Sequence, residues 1–228
     1  MSIQSEIIDG IGHIRLDRAE KANAYDRAHL DALAEAFAHL AANCPVVVIA
    51  SAHPRFFCAG ADLAELEKAT PDDARQLRSQ AVFTEIARSD AVSIAVVDGP
   101  AVAGGCELAL AADLRVIGTN AVFRLPETAL GIIPAAGGCT RLTALLGAAI
   151  AKSVILGGRD ITAHEAVRWG LGIDGGTTAN ETALDWARGL VRRGPEALTA
   201  AKRLIDQVAE DGALEDEREA QAILYANR

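Results

Sequence analysis

Three continuous apolar runs of strand length, PVVVIA (45–50), SIAVVDG (93–99) and LRVIG (114–118), constrain this chain more than any other feature. A strand that faces water on one side alternates apolar and polar residues. Runs without alternation need cover on both faces, the condition of a parallel sheet between helical layers. The intervening stretches supply the helices. DRAHLDALAEAFAHLAA places apolar residues at 30, 33, 37 and 40, one face of a helical period, with Asp26 as its N-cap. Pro71-Asp72-Asp73 opens a helix that the pattern carries to about Arg88, and Gly104 to Ala112 is short but helix-prone. Ahead of the first run, SEIIDGIGHIRLD holds two β-prone segments across Asp9-Gly10, a hairpin signal. Thr162 and Glu165 frame a capping box, and Gly170 closes that helix. Beyond residue 135 the chain reads as all helix, through ETALDWARGLVRR, Pro195 in a first turn, and ALEDEREAQAILYAN. The expected class is α/β, with layered β/α units over 1–170 and a helical region over 171–228, the part expected to carry self-association.

A chain of 228 residues, half of them hydrophobic, buries a sizeable core. Its 31 acidic against 22 basic residues, a net charge of −9, disfavour long-range attraction to nucleic acid or an anionic membrane. The cysteines at 44, 58, 106 and 139 form no CxxC pair and have no histidine at ligand spacing, so neither a metal site nor a redox motif is expected. The N-terminus lacks a basic start followed by an apolar segment, and no run of 18 apolar residues occurs. The expectation is a cytoplasmic protein with no nucleic-acid or membrane partner.

Two strand-to-helix junctions carry the chemistry. VVVIASAHPRFFCAGADLAEL enters a helix expected near Gly60-Ala61, and SIAVVDGPAVAGGCELAL enters one at Gly104-Gly105. Each places small residues at a helix N-terminus, where free N–H groups and the positive dipole end can face a negative oxygen. Two such ends aimed at one spot make an oxyanion hole, although tight helix–sheet packing also selects small residues. A dinucleotide site is weaker, because neither turn reads GxGxxG. Within GPAVAGGCELALAAD, Glu107 stands alone among small apolar residues, either as a cap partner or as a catalyst. Glu127 in FRLPETALGIIPAAGG follows Pro126 in a glycine-rich loop, either as a solvated turn residue or as a second acid.

Together, LDRAEKANAYD, FFCAGADLAEL, GPAVAGGCELALAADLRV, FRLPETALGIIPAAGGCTRL and AVRWGL resemble, in order, segments of the enoyl-CoA hydratase/isomerase (crotonase) superfamily from about Ile14 to Leu171. The resemblance implies a crotonase-like spiral of ββα units followed by C-terminal helices, usually assembled into trimers and dimers of trimers. It implies a thioester carbonyl held by the N–H groups of Ala61 and Gly104, and an acid/base pair of Glu107 and Glu127. It sets Lys21, Ala22, Ala24, Ala59, Asp62 and Leu63 against an acyl-CoA, with Arg18 and Arg55 also near the CoA mouth. No cofactor is implied, since coenzyme A is part of the substrate.

The chemistry so implied is hydration of a 2-enoyl-CoA thioester to a 3-hydroxyacyl-CoA. The N–H pair stabilises enolate charge on the thioester oxygen, while the carboxyls activate water and protonate C2. The alternatives are a Δ3,Δ2-enoyl-CoA isomerase, in which Glu127 alone shuttles the proton, and a non-catalytic acyl-CoA-binding protein.

Overall fold

The computed structural model describes residues 3–206 and Ala222. Strands β1 (Ile3–Ile8) and β2 (Ile11–Leu16) form the expected hairpin, with Asp9 and Gly10 at φ 52° and 75°, the left-handed pair that a two-residue turn requires. Helix α1 (Arg27–Asn43) buries Leu30, Leu33, Phe37 and Leu40, and the Asp26 carboxylate accepts from the His29 N–H. The chain continues through β3 (Val46–Ser51), the short helices α2 (Leu63–Leu66) and α3 (Pro71–Arg75), α4 (Arg78–Ala87), β4 (Val92–Val97), β5 (Pro100–Val102) and α5 (Gly104–Ala111). Then come β6 (Leu114–Gly118), β7 (Val122–Arg124), a 3-10 turn at Glu127–Leu130, and α6 (Gly138–Ile155). β8 (Ile161–Thr162), α7 (Ala163–Arg168), β9 (Ile173–Gly176), α8 (Ala179–Val191) and α9 (Pro195–Asp206) complete the described elements.

The main sheet has the order β1-β2-β3-β4-β6-β9, parallel throughout except for the β1/β2 hairpin, and β5-β7-β8 form a second sheet. Successive ββα passes therefore alternate strands between two sheets and return through a helix. β3 and β4 are covered on both sides, as their unbroken hydrophobicity requires: Val47, Ile49, Ala95 and Val97 belong to the larger core with α1 and α4, and Val46, Val48, Ile94 and Val96 to a second core under α8.

Two expectations need correction. The chain beyond residue 135 is not all helix, because β8 and β9 pair into the two sheets. The strand of IDGG is too short and too glycine-rich to carry a β pattern. The helix expected from Pro71 to Arg88 is broken between Arg75 and Arg78, and ALEDEREAQAILYAN lies almost wholly outside the described residues. α6 is long and apolar enough to cross a membrane by length and composition alone, yet Gly147 interrupts it at φ 79° and Leu142, Val154 and Ile155 pack into the core.

A buried arginine fixes α5 from behind. Arg115 donates through Nε to the Leu171 carbonyl (2.6 Å), through Nη1 to those of Ala109 (3.2 Å) and Ala112, and through Nη2 to that of Asp113 (3.1 Å). It thus supplies donors and positive charge where the helix end presents orphan carbonyls. Burial pulls its pKa down to about 10, so it remains charged at neutral pH. Arg115→Met strands several buried acceptors and is expected to cost roughly 2 to 4 kcal/mol, lowering the thermal midpoint by about 10 °C, as scanning calorimetry would show. Arg115→Lys keeps the charge without the fork and should fall between the two.

Candidate active site

The two junctions meet. A Cβ added to Gly60 would lie 2.9 Å from the Gly104 nitrogen, 2.9 Å from the Val102 oxygen and 3.0 Å from the Ala103 Cβ, so only glycine, here at φ 90°, permits the approach. Among the described residues, neither the Ala61 nor the Gly104 N–H donates to a protein acceptor. Gly104 is the first residue of α5, where an unclaimed donor is intrinsic to helix geometry. Ahead of it Ala103 is held at φ 51°, ψ −126°, a conformation costly for a residue with a Cβ. Its N–H donates to the Arg124 carbonyl (2.9 Å) and its carbonyl accepts from the Glu107 N–H (3.1 Å), so both of its neighbours hold it there.

Ala61 is not a first-turn residue, as the pattern near Gly60-Ala61 implied. α2 begins at Leu63, with Asp62 as N-cap accepting from the Ala64 N–H (3.2 Å). Ala61 instead forms a parallel bridge with Tyr25, in which Tyr25 donates to the Gly60 carbonyl and Asp62 donates to the Tyr25 carbonyl, both at 2.8 Å. Tyr25, near the end of the LDRAEKANAYD segment, claims the chain before a helix can start.

Glu107 and Glu127 are 4 % and 6 % exposed, burial that carboxylates do not accept without a reason. Glu107 Oε1 accepts from the N–H groups of Ala136 (2.7 Å) and Gly138 (2.9 Å), so the glycine-rich loop pins it. A Cβ on Gly138 would come within 3.0 Å of that oxygen and 2.6 Å of Pro134 Cβ, which accounts for a glycine there. Glu127 opens its 3-10 turn, and its Oε2 is buried with no hydrogen-bond partner. Burial pushes its pKa up to about 7. Both carboxylates act on the same neighbours, since the charge of each raises the pKa of the Cys106 thiol and of the Tyr25 phenol. A pinned carboxylate, a carboxyl poised near neutrality and two unclaimed N–H donors can together move a proton next to an oxygen that develops negative charge.

The remaining expected residues divide. Ala22 accepts from the Ala59 N–H (3.0 Å) and Ala24 is buried, so both belong to the segment that flanks the junction. Lys21 is exposed, with Nζ 3.4 Å from Asp62 Oδ2, and Leu63 projects into solvent with 66 % exposure. Arg55 is exposed. Arg18 is not a free cation at the mouth: its Nη1 donates to the Ala24 carbonyl (2.8 Å), and Asp26 and Asp62 lie 3.5 and 3.4 Å from its guanidinium. The sequence pattern assigns no role to Asn23 or Tyr25. Asn23 is buried, donates to Ser51 Oγ (2.9 Å) and the Phe57 carbonyl (2.8 Å), and accepts from the Arg18 N–H (2.8 Å). The buried amide in KANAYD was the available signal.

A family model for enoyl-CoA hydratase/isomerase matches residues 6–227. A probable mitochondrial enoyl-CoA hydratase 2 of Arabidopsis thaliana is 40 % identical over 205 residues, 87 % of this chain and 68 % of that protein. A carnitinyl-CoA dehydratase of Salmonella typhi is 40 % identical over 202 residues, 86 % of this chain and 77 % of that protein. The crystal structure of an enoyl-CoA hydratase from Bacillus anthracis superposes with a TM-score of 0.87 at 32 % identity, covering 98 % of this chain and 90 % of that one. With the two-sheet spiral, the met junctions and the buried acids in place, the chain belongs to the enoyl-CoA hydratase/isomerase family and has the crotonase fold.

Proposed function

We propose that the protein adds water across the C2=C3 bond of a 2-enoyl-CoA thioester, giving a 3-hydroxyacyl-CoA. The observations that carry this reading are the buried, unpartnered Glu127 Oε2 and the pinned Glu107, both of which act on Cys106 and Tyr25, together with two N–H groups with no protein acceptor. The thioester oxygen sits between the Ala61 and Gly104 N–H groups, which stabilise the enolate charge as it appears. Glu107, held by the loop, orients the water and takes its proton as the oxygen bonds to C3. Glu127 delivers a proton to C2, so a hydroxyl ends on C3 and a hydrogen on C2, and the proton taken by Glu107 returns to Glu127 through solvent to close the cycle. A carboxyl with a pKa of about 7 is populated in both forms at neutral pH, the condition for an efficient acid or base.

Two buried acids favour hydration over isomerisation, which needs only a shuttle at Glu127. The test is the absorbance of crotonyl-CoA, which falls as water removes the conjugated double bond. A non-catalytic acyl-CoA binder leaves it unchanged, and an isomerase leaves crotonyl-CoA intact while acting on 3-enoyl-CoA.

The same reading includes self-association into a trimer or a dimer of trimers. Only 28 % of the apolar α6 is buried in the single chain, and Leu130, Leu145 and Leu156 are exposed. A second copy of this chain is a natural cover for such a face. Sedimentation equilibrium should give a multiple of the 23.8 kDa chain, and a monomer at every concentration would count against this assembly.

A further inference from the structure

We propose that Tyr25 is a positioning residue of the oxyanion pair, its backbone setting the Ala61 donor and its phenol setting the Gly104 donor. The inference rests on the oxyanion reading given above and adds a residue to it.

The backbone half follows from the parallel bridge. Tyr25 bonds Gly60 and Asp62, the residues on either side of Ala61, so the N–H of Ala61 itself turns to the opposite edge. Adjacent contacts extend the clamp: Ala59 N–H to the Ala22 carbonyl (3.0 Å) and Asn23 Nδ2 to the Phe57 carbonyl (2.8 Å). Residues 57–62 are thus laid along 22–25 rather than hanging as a free loop.

The side-chain half lies at Gly104. A Cβ built there would fall 1.8 Å from the Tyr25 hydroxyl oxygen and 2.7 Å from its Cζ, so the phenol tip occupies the space where a side chain at 104 would begin. The ring stands edge-on to Phe83 of α4 (5.9 Å between centroids, 87° between planes), and the buried Ser79 of the same helix acts on the phenol. Burial, then the charges of Glu107, Cys58 and Glu127, push the phenol well above its ordinary pKa, so it remains a neutral hydroxyl. One residue therefore reaches from the first donor to the second and ties both to α4. The spacing of the two N–H groups is set through a rigid side chain instead of through two separate loops. Donor placement is demanding, because oxyanion stabilisation requires each donor about 2.7 to 3.1 Å from the developing charge.

The test uses Tyr25→Phe, which removes the hydroxyl and keeps the ring on Phe83, and Ser79→Ala, which removes its polar neighbour on α4. The probe is 4-(N,N-dimethylamino)cinnamoyl-CoA, whose absorption moves to longer wavelength when its carbonyl is polarised. Crotonyl-CoA gives kcat and KM. In both variants the red shift of the bound probe should shrink, and kcat should fall about 10-fold with KM within about two-fold, since only charge development is affected. A merely structural role lowers the thermal midpoint while leaving the red shift and the kcat per folded site intact; that result, in either variant, overturns the proposal. If the parent protein binds the probe without any red shift, the oxyanion reading itself fails and the role of Tyr25 falls with it. A parent shift retained in full by both variants rejects Tyr25 alone.

Discussion

Glu127→Gln is expected to lower the hydration of crotonyl-CoA by roughly 10²- to 10⁴-fold while leaving the affinity for saturated butyryl-CoA within about two-fold. The amide fills the same buried space but can neither give nor take the C2 proton. Glu107→Gln should lose a comparable factor, because the glutamine carbonyl can still accept from the Ala136 and Gly138 N–H groups while the base is gone. Full activity in both variants rejects the pair, and loss in Glu127→Gln alone favours the isomerase. The same substitution has a second readout. Burial raises the Glu127 carboxyl from its ordinary 4.5 to about 7, so the folded state holds a proton that the unfolded chain has already released. The stabilisation from that protonated form is complete below about pH 4.5 and is lost as pH rises through about 7. The implied upper bound is about 3 kcal/mol. Asp62 and Asp73, whose pKa values are lowered by hydrogen bonds from Ala64 and Thr70, contribute the opposite slope at lower pH. The quantity to measure is therefore the difference in thermal midpoint between parent and Glu127→Gln. It should tilt against the parent as pH is raised from 4.5 to 7.

Local rules made much of this fold legible, and their reach marks where legibility stopped. The Asp26 cap, the Asp9-Gly10 hairpin and the Thr162/Glu165 box each depend on residues at most a few positions apart, and each is present. The doubly covered strands were readable because hydrophobicity without alternation admits few other solutions. Glu107 and Glu127 stood out as acids in apolar or glycine-rich surroundings. What the sequence concealed is what two distant segments do to each other. Ala61 looked like a helix start until Tyr25, 36 residues earlier, claimed it as an extended partner. Arg18 looked like a surface cation until the folded loop brought the Ala24 carbonyl and Asp62 to it. The strain at Ala103 has no sequence signature, since alanine is not a residue that announces a positive φ. Nothing near Tyr25 in the chain says that its hydroxyl reaches Gly104.

Ala61→Pro should reduce turnover by roughly 10²- to 10³-fold, about 2.7 to 4 kcal/mol, the loss typical of one oxyanion donor. The substitution acts on the backbone, because neither Ala61 nor Gly104 offers a side-chain group for this work. Proline is acceptable at 61 for a different reason from the one a helix start would supply. The residue lies in an extended bridge whose hydrogen bonds are made by Gly60, Asp62 and Tyr25, so the missing N–H breaks no bond of the fold. The corresponding change at Gly104 is closed off, since any ring atom there meets the Tyr25 phenol. Ala61→Ser keeps the N–H, adds a small polar group and controls for local disturbance; it should retain most of the activity. The polarisable cinnamoyl-CoA probe then separates the outcomes. A proline variant that melts with the parent, binds the probe without its red shift and turns over slowly has lost a donor and nothing else. One that melts with the parent and turns over at the parental rate removes Ala61 from the oxyanion hole. If the proline variant unfolds early, the serine control and the probe shift of Tyr25→Phe still report on the hole, because both leave every backbone N–H in place.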